Sequence, residues 1–207
     1  LGGDESLSVP IRETARVQEA HDLVLHAIAQ AVERELFPDL GYDASADRFP
    51  FVLTETELAS YRAWIDESGQ RLATTNGVFD LLHRGHADSL RAARRHGDHL
   101  VVLINSDAST SRLKGPDRPV RVVADRIAAL EQLPWVDHVV VMEDDNPVRL
   151  LGVLAPHVHC KGEDYVGKPM PEAEVVRAGG GTIEFLPTLH GYSTSATVQA
   201  ARESRAP

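Results

Sequence analysis

From Arg71 onward, short apolar runs alternate with stretches of helical period, and this alternation narrows the fold more than any other property of the chain. The run His99–Ile104 (HLVVLI) reads as a strand buried on both faces, because a half-exposed strand would alternate apolar with polar residues. Further strands are expected at Leu72–Thr75, His138–Met142, His157–Lys161 and Thr182–Leu186. Helices are expected at Gly85–Arg95, Val122–Leu133, Pro147–Leu154, Pro171–Ala178 and Thr194–Glu203, with Gly179–Gly181 as a turn. Strands separated by helices join through right-handed crossovers and pair in parallel. The expected class is α/β, a Rossmann-like doubly wound parallel sheet with helices on both faces. Such sheets bind ligands at the carboxyl ends of their strands, so functional residues should directly follow the strands.

An N-terminal helical extension is expected ahead of this domain. Within Ile11–Phe37, Val17, Ala20, Val24, Ala27 and Ala31 form a helical stripe that Leu23 and Ile28 widen. The stripe must be buried, either on the chain's own domain or in a helix pair of a homodimer. Pro38–Pro50, rich in Asp, Gly, Ala and Pro, reads as a linker. A second helix is expected to begin at Thr54, where Thr54 and Glu57 fit a capping box. Leu58, Tyr61, Trp64 and Ile65 supply its apolar face, and Gly69 stops it. The expected domains are 1–50, extension and linker, and 51–207, with its core at 71–203.

The net charge is −10, from 31 acidic and 21 basic residues, which argues against a nucleic-acid partner. It does not exclude anionic small molecules, which backbone donors and a few cations can hold. Cys160 is the single cysteine, so no intramolecular disulfide can form and a reducing compartment fits. No apolar run is long enough to span a bilayer, and Leu1–Val9 lacks the basic and apolar regions of a secretory signal. A cytoplasmic protein without membrane association is the expectation.

The first strand runs into Thr75-Asn76-Gly77-Val78-Phe79-Asp80-Leu81-Leu82-His83-Arg84-Gly85-His86. Gly77 permits close backbone approach to a ligand. His83 and His86 bracket Gly85 where a helix begins, and a helix N-terminus attracts phosphate. Two imidazoles there can donate to charge developing on one phosphoryl group. There is no GxGxxG after the strand, only Gly77 and Gly85 with no glycine between them, which disfavours a dinucleotide-dependent oxidoreductase.

His83-Arg84-Gly85-His86 matches the HxGH signature, and the chain resembles the nucleotidylyltransferase superfamily. Thr75–Leu90, Asn105–Pro119, Glu143–Pro147, Lys161–Tyr165 and Gly191–Ser195 resemble, in order, the adenylyltransferases that make ADP-heptose from D-glycero-D-manno-heptose 1-phosphate. The resemblance covers about Arg71–Arg202. It implies an enzyme that transfers AMP from ATP to a sugar 1-phosphate and releases pyrophosphate. His83, His86 and Lys114 would be catalytic. Thr75, Asn76, Gly77, Val78, Phe79, Gly85, Lys161, Gly162, Asp164, Tyr165, Ser193, Thr194 and Ser195 would line the nucleotide site. Asp80, Asp107 and Arg126 would serve the substrate, and Mg²⁺ would arrive on the triphosphate without a dedicated protein metal site.

Each role has a plainer reading. Lys114 could be an exposed loop lysine, Asp107 a helix N-cap, Arg126 a surface ion-pair partner, and Ser193–Ser195 simple caps. Related cytidylyltransferases carry Arg and Glu before the last block, whereas this chain has Thr188-Leu189-His190-Gly191-Tyr192, which favours ATP over CTP. A CTP-dependent enzyme acting on glycerol 3-phosphate or a similar alcohol phosphate is the alternative within the class. A non-catalytic nucleotide-binding regulator is the alternative outside it. ADP-heptose enzymes are often fused to a sugar kinase; the 70 residues before the core are too few for one, so the resemblance implies a separate kinase.

Overall fold

Five strands form one wholly parallel sheet: β1 (Leu72–Gly77), β2 (His99–Asn105), β3 (His138–Met142), β4 (Val158–Gly162) and β5 (Thr182–Leu186). Their spatial order is β3-β2-β1-β4-β5. The computed structural model describes residues 48–187. β1 sits at the centre, with Leu72 beside His99 on one side and Ala73 beside Val158 on the other. The chain moves outward from β1 to β3, then returns to β4 and leaves in the opposite direction. The order therefore reverses between β1 and β4, and a crevice opens at their carboxyl ends.

The helices are α1 (Leu58–Ser68), α2 (Arg84–Arg94), α3 (Asp107–Lys114), α4 (Val123–Glu131), α5 (Val148–Leu154) and α6 (Pro171–Ala178). All seven residues of β2 are buried, as its unbroken apolar run requires. Val101 and Leu103 join a core with Leu58, Tyr61, Ile65, Leu151 and Val176, from α1, α5 and α6. Leu100, Val102 and Ile104 join a second core with Leu90 and Leu130, from α2 and α4. The alternation of side chains along one strand thus supplies both faces of the doubly wound sheet.

The five expected strands and the helices between them are present within a few residues. α1 differs, starting at Leu58 rather than Thr54. The Glu57 carboxylate accepts from the Thr54 N–H (2.7 Å) and hydroxyl (2.6 Å), but this pair closes a turn ahead of the helix. Only half of a capping box forms. Gly69 ends α1 as expected, at φ 69°. Preceding that turn, Val52 bridges Val139 in parallel: the Val139 N–H donates to the Phe51 carbonyl (2.7 Å) and the Leu53 N–H to the Val139 carbonyl (2.8 Å).

α3 and the short 3₁₀ turn Glu163–Tyr165 were not expected. The α3 sequence DASTSRLK has one large apolar residue, and its short polar side chains compete with helical hydrogen bonds. No apolar stripe announces it. Ser106 caps it by accepting from the Ser109 N–H at 3.2 Å. The helix expected at Ile11–Phe37, most of the linker, Ser193–Ser195 and the helix expected at Thr194–Glu203 lie outside the described residues.

Candidate active site

Two cavities share a wall above the carboxyl end of β1. One, of 530 Å³, is lined by Thr75, His83, Gly85, Gly162 and Asp164 among others. The other, of 430 Å³, is lined by Asp80, Asn105, Arg118, Asn146 and Glu172 among others. Asn76, Gly77, Val78, Phe79, His86, Lys114, Lys161 and Tyr165 line both. Each volume lies within the range of small-molecule sites.

The shared wall is built from β1 outward. Thr75 ties β1 to β4 by donating its hydroxyl to the Cys160 carbonyl at 2.9 Å. A side chain at Gly77 would press on the Phe79 ring, whose nearest atom stands 3.1 Å from the position of an added Cβ. Phe79 itself has φ 50°, in the left-handed region, which turns the chain sharply after the strand. Its ring meets the edge of His86, with centroids 5.4 Å apart.

His83 is the N-cap of α2, and the His86 N–H is shared between its carbonyl oxygen (2.9 Å) and its Nδ1 (3.3 Å). With Nδ1 accepting, the ring proton belongs on Nε2, which remains a donor. His86 stacks on His83 with ring centroids 3.8 Å apart. Burial lowers the His83 pKa, opposed by its own backbone carbonyl. Burial and then the neighbouring His83 push His86 down to about 4, against a smaller opposing pull from the Leu81 backbone. Both rings are therefore neutral at pH 7, and they act beside the positive end of the α2 dipole.

Lys114 is the last residue of α3, not a loop lysine, and it lines both cavities. Lys161 is 6% exposed, donates to Asn76 Oδ1 at 2.9 Å, pairs with Glu172 at 3.0 Å, and lies 4.2 Å from the centre of the Tyr165 ring. An ammonium so fixed at the junction of two cavities has one arrangement, unlike a surface lysine.

The three expected substrate residues stand apart in role. The Asp80 carboxylate, 5% exposed, accepts from Arg118 (2.5 Å) and from the Val120 and Arg121 N–H groups (2.8 and 3.0 Å). It clamps the loop that follows α3 and aims Arg118 into the smaller cavity. Arg126 is 1% exposed, and lines neither cavity. Its guanidinium donates to the Arg121 and Val78 carbonyls and to Asp107 Oδ1 (3.0, 2.6 and 2.8 Å). Burial and internal partners thus replace the phosphate contact expected of Arg126, and its ion pair joins a buried guanidinium to the Asp107 carboxylate, whose side chain is 40% exposed. Asp107 is the first residue of α3 rather than its cap, and it holds that guanidinium. Arg118 and Glu172 were missing from the residues singled out in the sequence. Arg118 sits in the quoted Asn105–Pro119 block, where Asp107 and Lys114 drew notice; Glu172 carries no signal beyond an acid at a helix start.

This fold and site define a phosphate-handling α/β enzyme. The chain belongs to the cytidylyltransferase-like family, whose model matches residues 74–183, more than half of its length, and it is a nucleotidyltransferase. It is 47% identical over 135 residues to the bifunctional protein HldE of Halorhodospira halophila, covering 65% of this chain and 28% of that one. It is 49% identical over 132 residues to HldE of Streptomyces coelicolor, covering 64% and 28%. The chain thus spans under a third of the length of these curated relatives. Among solved structures, its fold is similar to a pantothenate synthetase from Thermus thermophilus (18% identity, TM-score 0.51, 75% and 70% covered). It is also similar to a pantoate-beta-alanine ligase from Francisella tularensis (15%, TM-score 0.52, 75% and 77%). Among the described residues, no helix is long and apolar enough to cross a membrane.

Proposed function

We propose that the chain transfers AMP from ATP to a sugar 1-phosphate, D-glycero-D-manno-heptose 1-phosphate foremost, and releases pyrophosphate. The observation that carries this reading is the pair of cavities meeting at His86, Lys114 and Lys161. The cavity at the N-terminus of α2 takes the nucleotide, with its triphosphate against His83, Gly85 and His86. The cavity beside Asp80 and Arg118 takes the acceptor, with its phosphate toward the cations. The likeness to HldE proteins favours a heptose phosphate, and Thr188-Leu189-His190, where related cytidylyltransferases carry Arg and Glu, favours ATP.

An acceptor phosphate oxygen attacks the α-phosphorus in line. The bond from that phosphorus to the bridging oxygen of the β-phosphate breaks, and pyrophosphate leaves with the electron pair. The acceptor is already an anion, so no strong base is needed. The work of the protein is to align the two anions and offset their repulsion. Neutral His83 and His86 donate N–H groups to the oxygens on which charge grows, while Lys114 and Lys161 face the junction. Of the lining carboxylates, Asp80, Asp145 and Glu172 are paired with Arg118, Arg112 and Lys161, which fits a metal carried by the triphosphate; Mg²⁺ so held would neutralise phosphate charge. Residues 1–50 are proposed as a separate extension that pairs two copies of this cytoplasmic enzyme; light scattering of the full chain against one beginning at residue 51 should show a dimer only in the former.

The test is pyrophosphate release with Mg²⁺, crossing ATP and CTP with heptose 1-phosphate, hexose 1-phosphates and glycerol 3-phosphate. Release with ATP and heptose 1-phosphate is expected. Release with CTP and glycerol 3-phosphate alone would replace both substrates, and ligand binding without any release would make the chain a binding protein.

A further inference from the structure

Glu172 lines the acceptor cavity, is 5% exposed, and stands in the first turn of α6. A buried carboxylate is costly and repels phosphate, so its place in a cavity for an anionic acceptor needs a reason. Its Oε1 pairs with Lys161 Nζ at 3.0 Å. Its other oxygen has no partner among the described residues. Asn105 and Asn146 line the same cavity with complementary groups. The Asn105 amide nitrogen donates to Ser109 Oγ (2.9 Å), which leaves its Oδ1 as an acceptor. Asn146 Oδ1 accepts from the Val148 N–H (3.2 Å), which leaves its amide N–H groups as donors. Arg118 stands on the opposite side of the role, as the cation for phosphate. Hydroxyl groups, each donor and acceptor at once, are the neutral ligand that suits this set.

We propose that Glu172 selects a polyhydroxylated acceptor: one carboxylate oxygen holds Lys161 at the junction, and the other accepts a hydroxyl of the sugar. The inference rests on the functional reading above, because it takes the smaller cavity as the acceptor site. It assigns discrimination between a sugar phosphate and a simple alcohol phosphate to one side chain.

The experiment is steady-state kinetics of the full chain with ATP, an accepted sugar 1-phosphate and its single-deoxy analogues. A hydrogen bond to a charged group is worth about a 10- to 100-fold change in kcat/KM. One deoxy analogue should lose that factor with the wild type. Glu172→Ala should lose it with the parent sugar and lose nothing more with that analogue, while KM for ATP moves less than about 3-fold, as expected of a coupled pair rather than independent sites. Glu172→Gln, which keeps the shape, should show the same pattern in weaker form. If Glu172→Ala leaves Lys161 uncompensated and unfolds the domain, Glu172→Ala/Lys161→Met removes both charges and reads the same analogue comparison. Equal losses with the parent and every analogue would overturn the inference and reduce Glu172 to a prop for Lys161. A wild type inactive with every sugar 1-phosphate overturns the functional reading, and this inference with it.

Discussion

Replacing His86 by alanine isolates the donor on which the proposed chemistry leans most. Loss of one transition-state donor lowers turnover by about 100- to 1,000-fold, or roughly 3–4 kcal/mol of barrier. The lost ring contacts with His83 and Phe79, at 3.8 and 5.4 Å, are worth about 0.5–1.5 kcal/mol each, small beside a domain stability of about 5–15 kcal/mol. The variant should therefore fold and bind ATP while turning over slowly. The assay is the ratio of wild-type to variant kcat/KM across pH, which reports groups of the free enzyme. The acceptor's phosphate titrates near pH 6 but cancels in the ratio. With His86 pushed down to about 4, its ring is neutral throughout the working range, and the ratio should stay flat from about pH 5.5 to 8. A ratio that decays as pH rises through this window would make the imidazolium the working form, and turnover within 5-fold of wild type would remove His86 from the chemistry.

Asp80→Ala should free Arg118 and the 118–121 loop, raising KM for the acceptor about 10-fold or more and KM for ATP far less; equal rises would refute the division of the cavities. Arg126→Met should cost about 1–3 kcal/mol in urea denaturation, because Asp107 and two part-buried carbonyls lose their donor; an unchanged midpoint would return Arg126 to the list of ligand contacts. Acid should destabilise the fold before any carboxylate titrates. His159 is held at about 3, by burial and then by Lys161, and burial also lowers His138. The unfolded chain takes up these protons near pH 6.5 while the folded one resists, so stability should fall as pH drops below that value, by up to about 1.4 kcal/mol per unit per histidine. A urea midpoint unchanged between pH 7 and pH 5 would contradict this.

The sheet was legible because its strands carry their own signal. β2 is apolar at five consecutive positions, Leu100–Ile104, and a strand covered on both faces suits that run. The HxGH turn was legible for the same local reason, since its glycine and paired histidines need only each other and a helix start. α3 was hidden, as its stability comes from the Ser106 cap and from contacts of Ser109 with Asn105 and Asp145, not from an apolar stripe. The plainer reading of Lys114 as a loop lysine fails for the same reason, since it ends α3. Arg118 and Glu172 depend on partners 38 and 11 residues away, Asp80 and Lys161, and no local pattern marks such pairs. Arg126 shows the converse, where a cation beside the proposed phosphate site looks like a ligand until its three internal acceptors are seen.

The bridge between Val52 and Val139 has a bearing on association. An outermost strand offers unpaired amides and carbonyls to any extended segment that drifts alongside, from a neighbour in solution or from a chain still folding. β3 is only five residues long, and one of its outward-facing residues already has both backbone groups engaged by Phe51 and Leu53. What remains is too little for an incoming strand to grip. The residues just ahead of α1 thus work as a clasp on that flank, and because Leu53 is also buried in the core, deleting them should loosen the domain as well as make the enzyme prone to clump.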